Sequence, residues 1–311
     1  MSQYIDTAHV DAYRADLKIK FQQMSSRLRP FCQVETLSAE DTFMDRIGSV
    51  DPVEITTRHA DTPYLETPFD RRKINFRTFV WADLIDKVDK IQMLADPTSP
   101  MSTNAIAGLQ RRMDDVVIEA ALGTAYTGKD GTTAVSSGWS VVAKDYTEWV
   151  NSSVSTNYTS NLTVGKLRRA RQYLEESEAI GGDNGMQERE LVLACASSQL
   201  MSLLADARAT STDYAEVRAL VNGEIKQYMG FRFIRTQRLK LKSGDANVRR
   251  CVAFVSGSAI GLGLAEEPFV RVSELPNKNY AVQVYVRGSY GACRMWEEQV
   301  VEIECDERYR G

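Results

Sequence analysis

Between Ser99 and Gly131 the chain reads SPMSTNAIAGLQRRMDDVVIEAALGTAYTGKDG, with apolar residues recurring every three or four positions. Ile106, Leu109, Met113, Val116 or Val117, Ala120 and Ala121 form one stripe. Arg111, Arg112, Asp114, Asp115 and Glu119 face mostly elsewhere,. Ser102 or Thr103 is placed to cap the first free amides, and Gly123 to begin the end. The pattern predicts an amphipathic helix over about 102–124. At 1.5 Å per residue it spans about 30 Å, the width of a small domain, and it reads as a spine. The acid pairs Asp114/Asp115 and Glu175/Glu176 read as solvated helix faces.

The same periodicity predicts a helix over 7–29, with Tyr13, Leu17, Phe21, Met24 and Leu28 on one face and Pro30 ending it,. That segment either packs on its own domain or lies as an arm on a neighbour. From 31 to 80 the pattern changes. FCQVETLS, PVEITTRH and KINFRTFVW are rich in β-branched and aromatic residues, and the turns SVDP, HADTP and ETPFD separate them,. Charges at Arg58, Asp61, Arg71, Arg72 and Lys73 interrupt the alternation. A long hairpin with so little apolar surface does not hold itself together in water and needs a surface to lie on. Leu84, Ile85, Val88, Ile91 and Leu94 predict a further helix over 81–94.

Residues 124–165 are polar and turn-rich with short strands. Residues 160–265 alternate: helix VGKLRRARQYLEESEA, a buried strand in ERELVLACASS, helix QLMSLLADARA, strand FRFIRTQRL, and strand VRRCVAFVSGSAIGLGLA ending in a glycine-rich turn,. The strands FVRVSEL, AVQVYVRG and QVVEIEC close the chain.

Composition narrows the function. A formal net charge of −4 over 311 residues argues against a protein that chiefly grips phosphates,. No run of about 18 apolar residues predicts a membrane span, and the opening residues hold no secretory apolar core. Five cysteines, none in CxxC spacing, read as reduced thiols, with Cys195 and Cys251 as small core residues,. Two histidines, His9 and His59, and no GxSxG leave no nucleophile–base arrangement to propose,, and no standard zinc site either. GTAYTGKD over 123–130 imitates a phosphate loop. Asp130 stands where a hydroxyl should be, and the segment follows a helix instead of opening one,. GLGLAE over 261–266 lacks the third glycine of a dinucleotide fingerprint. The short basic clusters, including 111–112, 168–171 and 249–250, read as surface charge or intersubunit salt bridges. No catalytic, cofactor-binding or metal-ligating residue is therefore assigned.

The order of parts is more telling than any motif: a terminal helix, a long charged hairpin, a spine helix, a separate α+β region, then alternating strands. DPTSPMSTNAIAGLQRRMDDVVIEAALGTA, GFRFIRTQRL, CVAFVSGSAIGLGLAEEP and RGSYGACRMWEEQVVEIEC carry the likeness. Over most of its length the chain resembles the major capsid proteins of tailed bacteriophages, the Hong Kong 97-type fold. The resemblance implies an α+β capsid fold in four parts: an N-terminal arm (1–30), an extended β-hairpin loop (31–80), a peripheral domain with the spine helix (81–159 and 266–311), and an axial α/β domain (160–265). It implies a structural protein without enzymatic activity, assembling through pentamers and hexamers into an icosahedral shell around double-stranded DNA. The implied partners are copies of itself, a separate scaffolding protein, portal and decoration proteins, and packaged DNA held nonspecifically on the inner face. The implied place is the virion, built in the bacterial cytoplasm. Arg71, Arg72, Lys73, Tyr13, Leu17 and Phe21 are the candidate intersubunit contacts. The alternatives are another self-assembling virion or cage component (portal, tail, decoration) and, further off, an α/β enzyme. A shell suits this sequence physically: it needs one chain making several heterologous contacts that close, each of them individually weak.

Overall fold

The computed structural model describes residues 22–36, 41–58, 61–85, 98–136, 140–146, 159–181, 189–205 and 226–308. Three sheets are joined by one long helix. The run LVLAC, apolar at every position, requires cover on both faces. It forms β8 (Leu191–Cys195), entirely buried, inside a seven-stranded mixed sheet. The order is β7 (Val141–Val142), β15 (Val300–Asp306), β12 (Asp245–Val255), β8, β10 (Phe231–Arg235), β9 (Gln227–Tyr228), with β11 (Leu241–Lys242) paired to β12. β8 and β10 run parallel, while β12 is antiparallel to both β8 and β15. Helices α2 (Val164–Glu176) and α3 (Ser197–Ala205) contribute Leu167, Ala170, Leu174, Leu200 and Leu203 to this core. Thr163 opens α2 by accepting from the Lys166 amide.

The spine is α1, Thr98–Leu122, 25 residues long and so about 37 Å. Its two halves serve different cores. Ala105 and Leu109 pack with Ile85, Val284 and Val286. Met113, Val116, Val117, Ile118, Ala121 and Leu122 enter the core of the seven-stranded sheet. The first set belongs to a four-stranded sheet ordered β1 (Gln33–Thr36), β13 (Ile260–Leu275), β14 (Ala281–Arg294), β4 (Arg77–Ile85). Buried Tyr290 of β14 pins this sheet to the helix by donating to Leu109 O at 2.8 Å.

The third sheet is the root of the charged hairpin: β2 (Asp41–Ile47), β3 (Phe69–Asn75), β5 (Ala125–Thr127) and β6 (Thr133–Val135). It crosses closely over the start of β13 and the end of β14. A Cβ at Gly261 would collide with Met44 Sδ, and one at Gly291 with Asn75 O. That close approach explains two glycines and corrects the glycine-rich turn expected at 261–265, which is a strand. The phosphate-loop imitation is the β5–β6 hairpin turn, where the Gly131 amide donates to Gly128 O.

Several expectations change. Of the 7–29 segment only 22–29 is described. Residues 22–28 are not helical there, and Leu28 is buried in the main core. The predicted helix at 81–94 is strand as far as Ile85, because Phe79 and Trp81 alternate inward on β4 against the helix; 86–94 lies outside the described residues. Ser102 and Thr103 are not caps. α1 starts earlier, and both hydroxyls donate back to Ser99 O. β13 runs unbroken through 265/266, its first five residues buried and the rest alternating between exposed and half-buried.

One fully buried cation ties the seven-stranded sheet to its flanking loops. Lys166 Nζ donates to Lys144 O (3.0 Å), Ser160 O (2.7 Å) and Glu304 O (2.8 Å). Burial pulls its pKa below the ordinary lysine value. Lys166→Met keeps the length and strands three carbonyls. Urea unfolding of the unassembled chain is expected to show a loss on the order of 3 kcal/mol; a change below about 1 kcal/mol would refute that role for the ammonium.

Candidate subunit interface and the root of the arm

The antiparallel ladder of β2 and β3, with Asp41 opposite Asn75 and Ile47 opposite Phe69, sorts the hairpin into two faces,. Met44, Arg46, Asp70, Arg72 and Ile74 point inward. Phe43, Asp45, Ile47, Phe69, Arg71 and Lys73 lie on the other face. The ladder ends where the Gly48 amide donates to Pro68 O. Beyond it, residues 49–58 and 61–68 hold no regular structure and are exposed at every position; Tyr64 reaches 96%.

The inward face rests on a buried ionic cluster. Arg72, 1% exposed, donates to both oxygens of Glu297 at 2.7 Å. Arg46 reaches Asp70 at 2.7 Å and Glu297 at 3.3 Å, donates to Met295 O, and lies over the Trp296 ring. Arg294, also buried, sits 3.6 Å from Glu297 and donates to Ala121 O (3.1 Å) and Gly123 O (2.8 Å), the open carbonyls at the end of α1. A cation there meets the negative end of the helix dipole. Burial, reinforced by neighbouring Arg72, lowers the Arg294 pKa against the pull of Glu297. Burial also pushes Asp70 upward, but hydrogen bonds from Thr127 and Arg46 outweigh it and hold the carboxyl at about 2.

A second set of carboxylates runs along α1. Asp114 accepts from the backbone amides of Arg27 (3.1 Å) and Leu28 (3.2 Å) and from Ser26 Oγ. Asp115 is clamped by Arg238, and Glu119 by Lys240 (2.6 Å) and Arg77 (2.9 Å). These acids are not a solvated face. Asp114 and Asp115 are buried, and they fasten the N-terminal segment and the 238–240 loop to the spine. Asp114 also accounts for the missing helix at 22–28, since it takes backbone amides that a helix would use.

Of the six candidate contacts, Tyr13, Leu17 and Phe21 lie outside the described residues, as do His9 and His59. Arg72 is corrected: its ion pair is within its own chain and leaves no surface for a neighbour. Arg71 and Lys73 are on the open face, with Arg71 near Asp45 (3.4 Å) and over the Phe43 ring (5.2 Å). Sequence reasoning missed Glu297 and Arg294 altogether. Glu297 lies 225 positions from Arg72, a separation no spacing rule detects.

The cysteines are all free and buried. Burial raises the thiols of Cys32, Cys195 and Cys293 to about 12, far from the reactive thiolate range,. Among the described residues no group of His, Cys, Asp and Glu is arranged to hold a metal, and no helix is long and apolar enough to cross a membrane.

The architecture is that of solved phage shells. It superimposes on the capsid of Ralstonia phage GP4 with a TM-score of 0.68 (9% identity, 94% of each chain). For cyanophage P-SCSP1u the TM-score is 0.64 (15% identity, 93% of this chain, 91% of that one). For the cyanophage Pam1 capsid it is 0.63 (12% identity, 95% of each). These likenesses define the class, a mixed α+β capsid fold of the tailed-phage type. No curated protein sequence matches the chain. The sequence profile of the family described as phage capsid protein matches residues 5–307, and the chain belongs to that family: it is a major capsid protein, a structural subunit.

Two outcomes follow. Glu297→Ala leaves buried guanidiniums without their carboxylate and is expected to cost about 3–5 kcal/mol in urea unfolding. Arg71→Ala on the open face costs under about 1 kcal/mol; equal losses would contradict the cluster. Asp70 and Glu307 both have folded pKa values of about 2, below the ordinary carboxylate range. Their contribution is complete above that range and is lost as pH falls through it. Stability is expected to drop between about pH 4 and pH 2, less steeply in Asp70→Asn with Glu307→Gln; an unchanged slope would contradict the assignment.

Proposed function

We propose that this subunit assembles through pentamers and hexamers into an icosahedral shell that encloses a double-stranded DNA genome, without catalysing a reaction. In this reading residues 160–265 are the axial part and residues 81–159 with 266–311, including the spine helix, are the peripheral part. Residues 31–80 hold the extended loop, and its exposed stretches at 49–58 and 61–68 lie across a neighbouring copy. The shell is built in the bacterial cytoplasm and becomes the wall of the virion. A separate scaffolding protein, a portal and decoration proteins are its further partners, and the packaged DNA touches its inner face nonspecifically. The acidic balance of the chain, −4 overall, suits a wall that does not adhere to its contents,.

One observation supports this most: a loop whose apolar residues stay in water. Val50, Val53, Ile55, Tyr64 and Leu65 are each more than two-fifths exposed on a segment with no secondary structure. A monomer gains nothing from that arrangement, whereas a subunit covered by its neighbours does. The hollow beside α3, bordered by Ser197, Ser198, Met201, Arg249 and Glu307, offers an enzyme little. Hydrogen bonds from Arg249, Ser198 and Gln199 outweigh burial and hold Glu307 near 2, too acidic for a base at neutral pH,.

Size-exclusion chromatography and negative-stain microscopy of the purified chain, with and without co-expressed phage scaffold, test the reading. Megadalton particles or discrete pentamers and hexamers are expected. A monomer that persists at every concentration, with no particles in either preparation, would refute it.

A further inference from the structure

The ionic cluster beneath the arm does not balance. Arg46, Arg72 and Arg294 bring three guanidiniums, while Asp70 and Glu297 bring two carboxylates. Asp70 is partly exposed and also accepts from Thr127 Oγ1, so the excess charge lies at the buried pair Arg72 and Arg294. Two donors are left over in that pair. Arg72 Nη1 and Arg294 Nε are buried and have no hydrogen-bond partner among the described residues. A buried donor without an acceptor is costly, the more so on a cation, and folded interiors keep few of them.

The two donors share one neighbourhood. Arg72 Nη2 holds both oxygens of Glu297, and Arg294 Nε stands 3.6 Å from one of them. Cys293 lies in the field of both cations. Burial pushes its thiol up and Arg72 pulls it down, while Glu35 and Arg294 add smaller effects of opposite sign. Met44, Ile74 and Met295 pack with Cys293 and make this side apolar. On the other side a cavity of about 120 Å³ is lined by Cys293 and Arg294, together with Lys73, Asn75 and Arg77. The carboxylate in its wall, Glu119, is already committed to Lys240 at 2.6 Å and Arg77 at 2.9 Å.

We propose that Arg72 Nη1 and Arg294 Nε bind a monovalent anion of halide size, chloride or bromide, beside Cys293. One negative charge balances the odd guanidinium. A spherical ion accepts from two N–H groups that Glu297 does not satisfy, and such charge-assisted bonds are strong in a water-poor site. The cavity gives the ion a route in, with room for a few waters but not for a bulky organic anion,. A divalent oxyanion would overshoot the balance next to Glu297. The ion ties Arg72 of β3 to Arg294 of β14, so chloride firms the root of the arm. This goes beyond the shell reading and does not depend on it.

Thermal unfolding of the full, unassembled chain in sodium chloride, bromide and gluconate at equal ionic strength tests the site. Chloride and bromide are expected to raise Tm saturably, by about 3 °C at about 100 times the half-saturating concentration, and gluconate is not. Cys293→Asp sets a carboxylate beside both guanidiniums and is expected to abolish the chloride dependence, while Cys293→Ser keeps it. Should the aspartate variant not fold, chloride NMR of the unmodified chain decides: the line is expected to broaden, and bromide but not gluconate to reverse the broadening. Equal Tm in the three salts would overturn the ion and leave water as the acceptor. Broadening that bromide does not reverse would do the same. A folded Cys293→Asp chain that still responds to chloride would remove the ion from this place.

Discussion

Glu297 is the one carboxylate on which the rest of the arm's geometry depends. It meets Arg72 from the hairpin root, Arg294 from the end of β14 and Arg46 from β2. Arg294 in turn closes the C-terminal carbonyls of the spine helix. Buried guanidiniums are costly unless every one finds an anion or carbonyl, so the geometry tolerates few alternatives. The arm therefore leaves the body in one direction. The exposed, irregular stretches 49–58 and 61–68 thus start from a root held by buried ion pairs.

The helix does the complementary task with acids. Asp114, Asp115 and Glu119 each bind a different part of the chain: the segment at 23–28, Arg238, and Lys240 with Arg77. The same helix packs on one sheet with its first half and on another with its second. The 25-residue helix is thus the tie between distant parts of the chain. It joins the core of the seven-stranded sheet to that of the β1–β13–β14–β4 sheet.

The division between what the chain completes alone and what it leaves open is sharp. Residues 41–47 and 69–85 are anchored in their own body through Met44, Ile74 and Arg72, even though the charge-interrupted sequence argued for dependence on another surface. Among the described residues of the hairpin, 49–58 and 61–67 stand free of that body. Buried cations reconcile the two. Charges that look surface-bound in a linear reading become interior once a carboxylate from the far end of the chain arrives.

By itself the sequence determined the spine helix, the alternating closing strands, a buried strand within ERELVLACASS, a hairpin within 31–80, and the poverty of catalytic groups. Each of these is written in a local period, in a run of apolar residues or in simple counts, and local patterns survive without knowledge of neighbours. The order of those parts was enough for the family. Tertiary structure alone decided that Asp114 and Asp115 are interior, that 22–28 is not helix, that 81–85 is strand and that Arg72 belongs inside. In each case the deciding partner lies far away in the chain: Asp114 for the amides of 27 and 28, β14 for β4, Glu297 for Arg72. Side-chain charge and periodicity specify what a residue prefers near its sequence neighbours; which preference wins is set by the group that packing delivers to it.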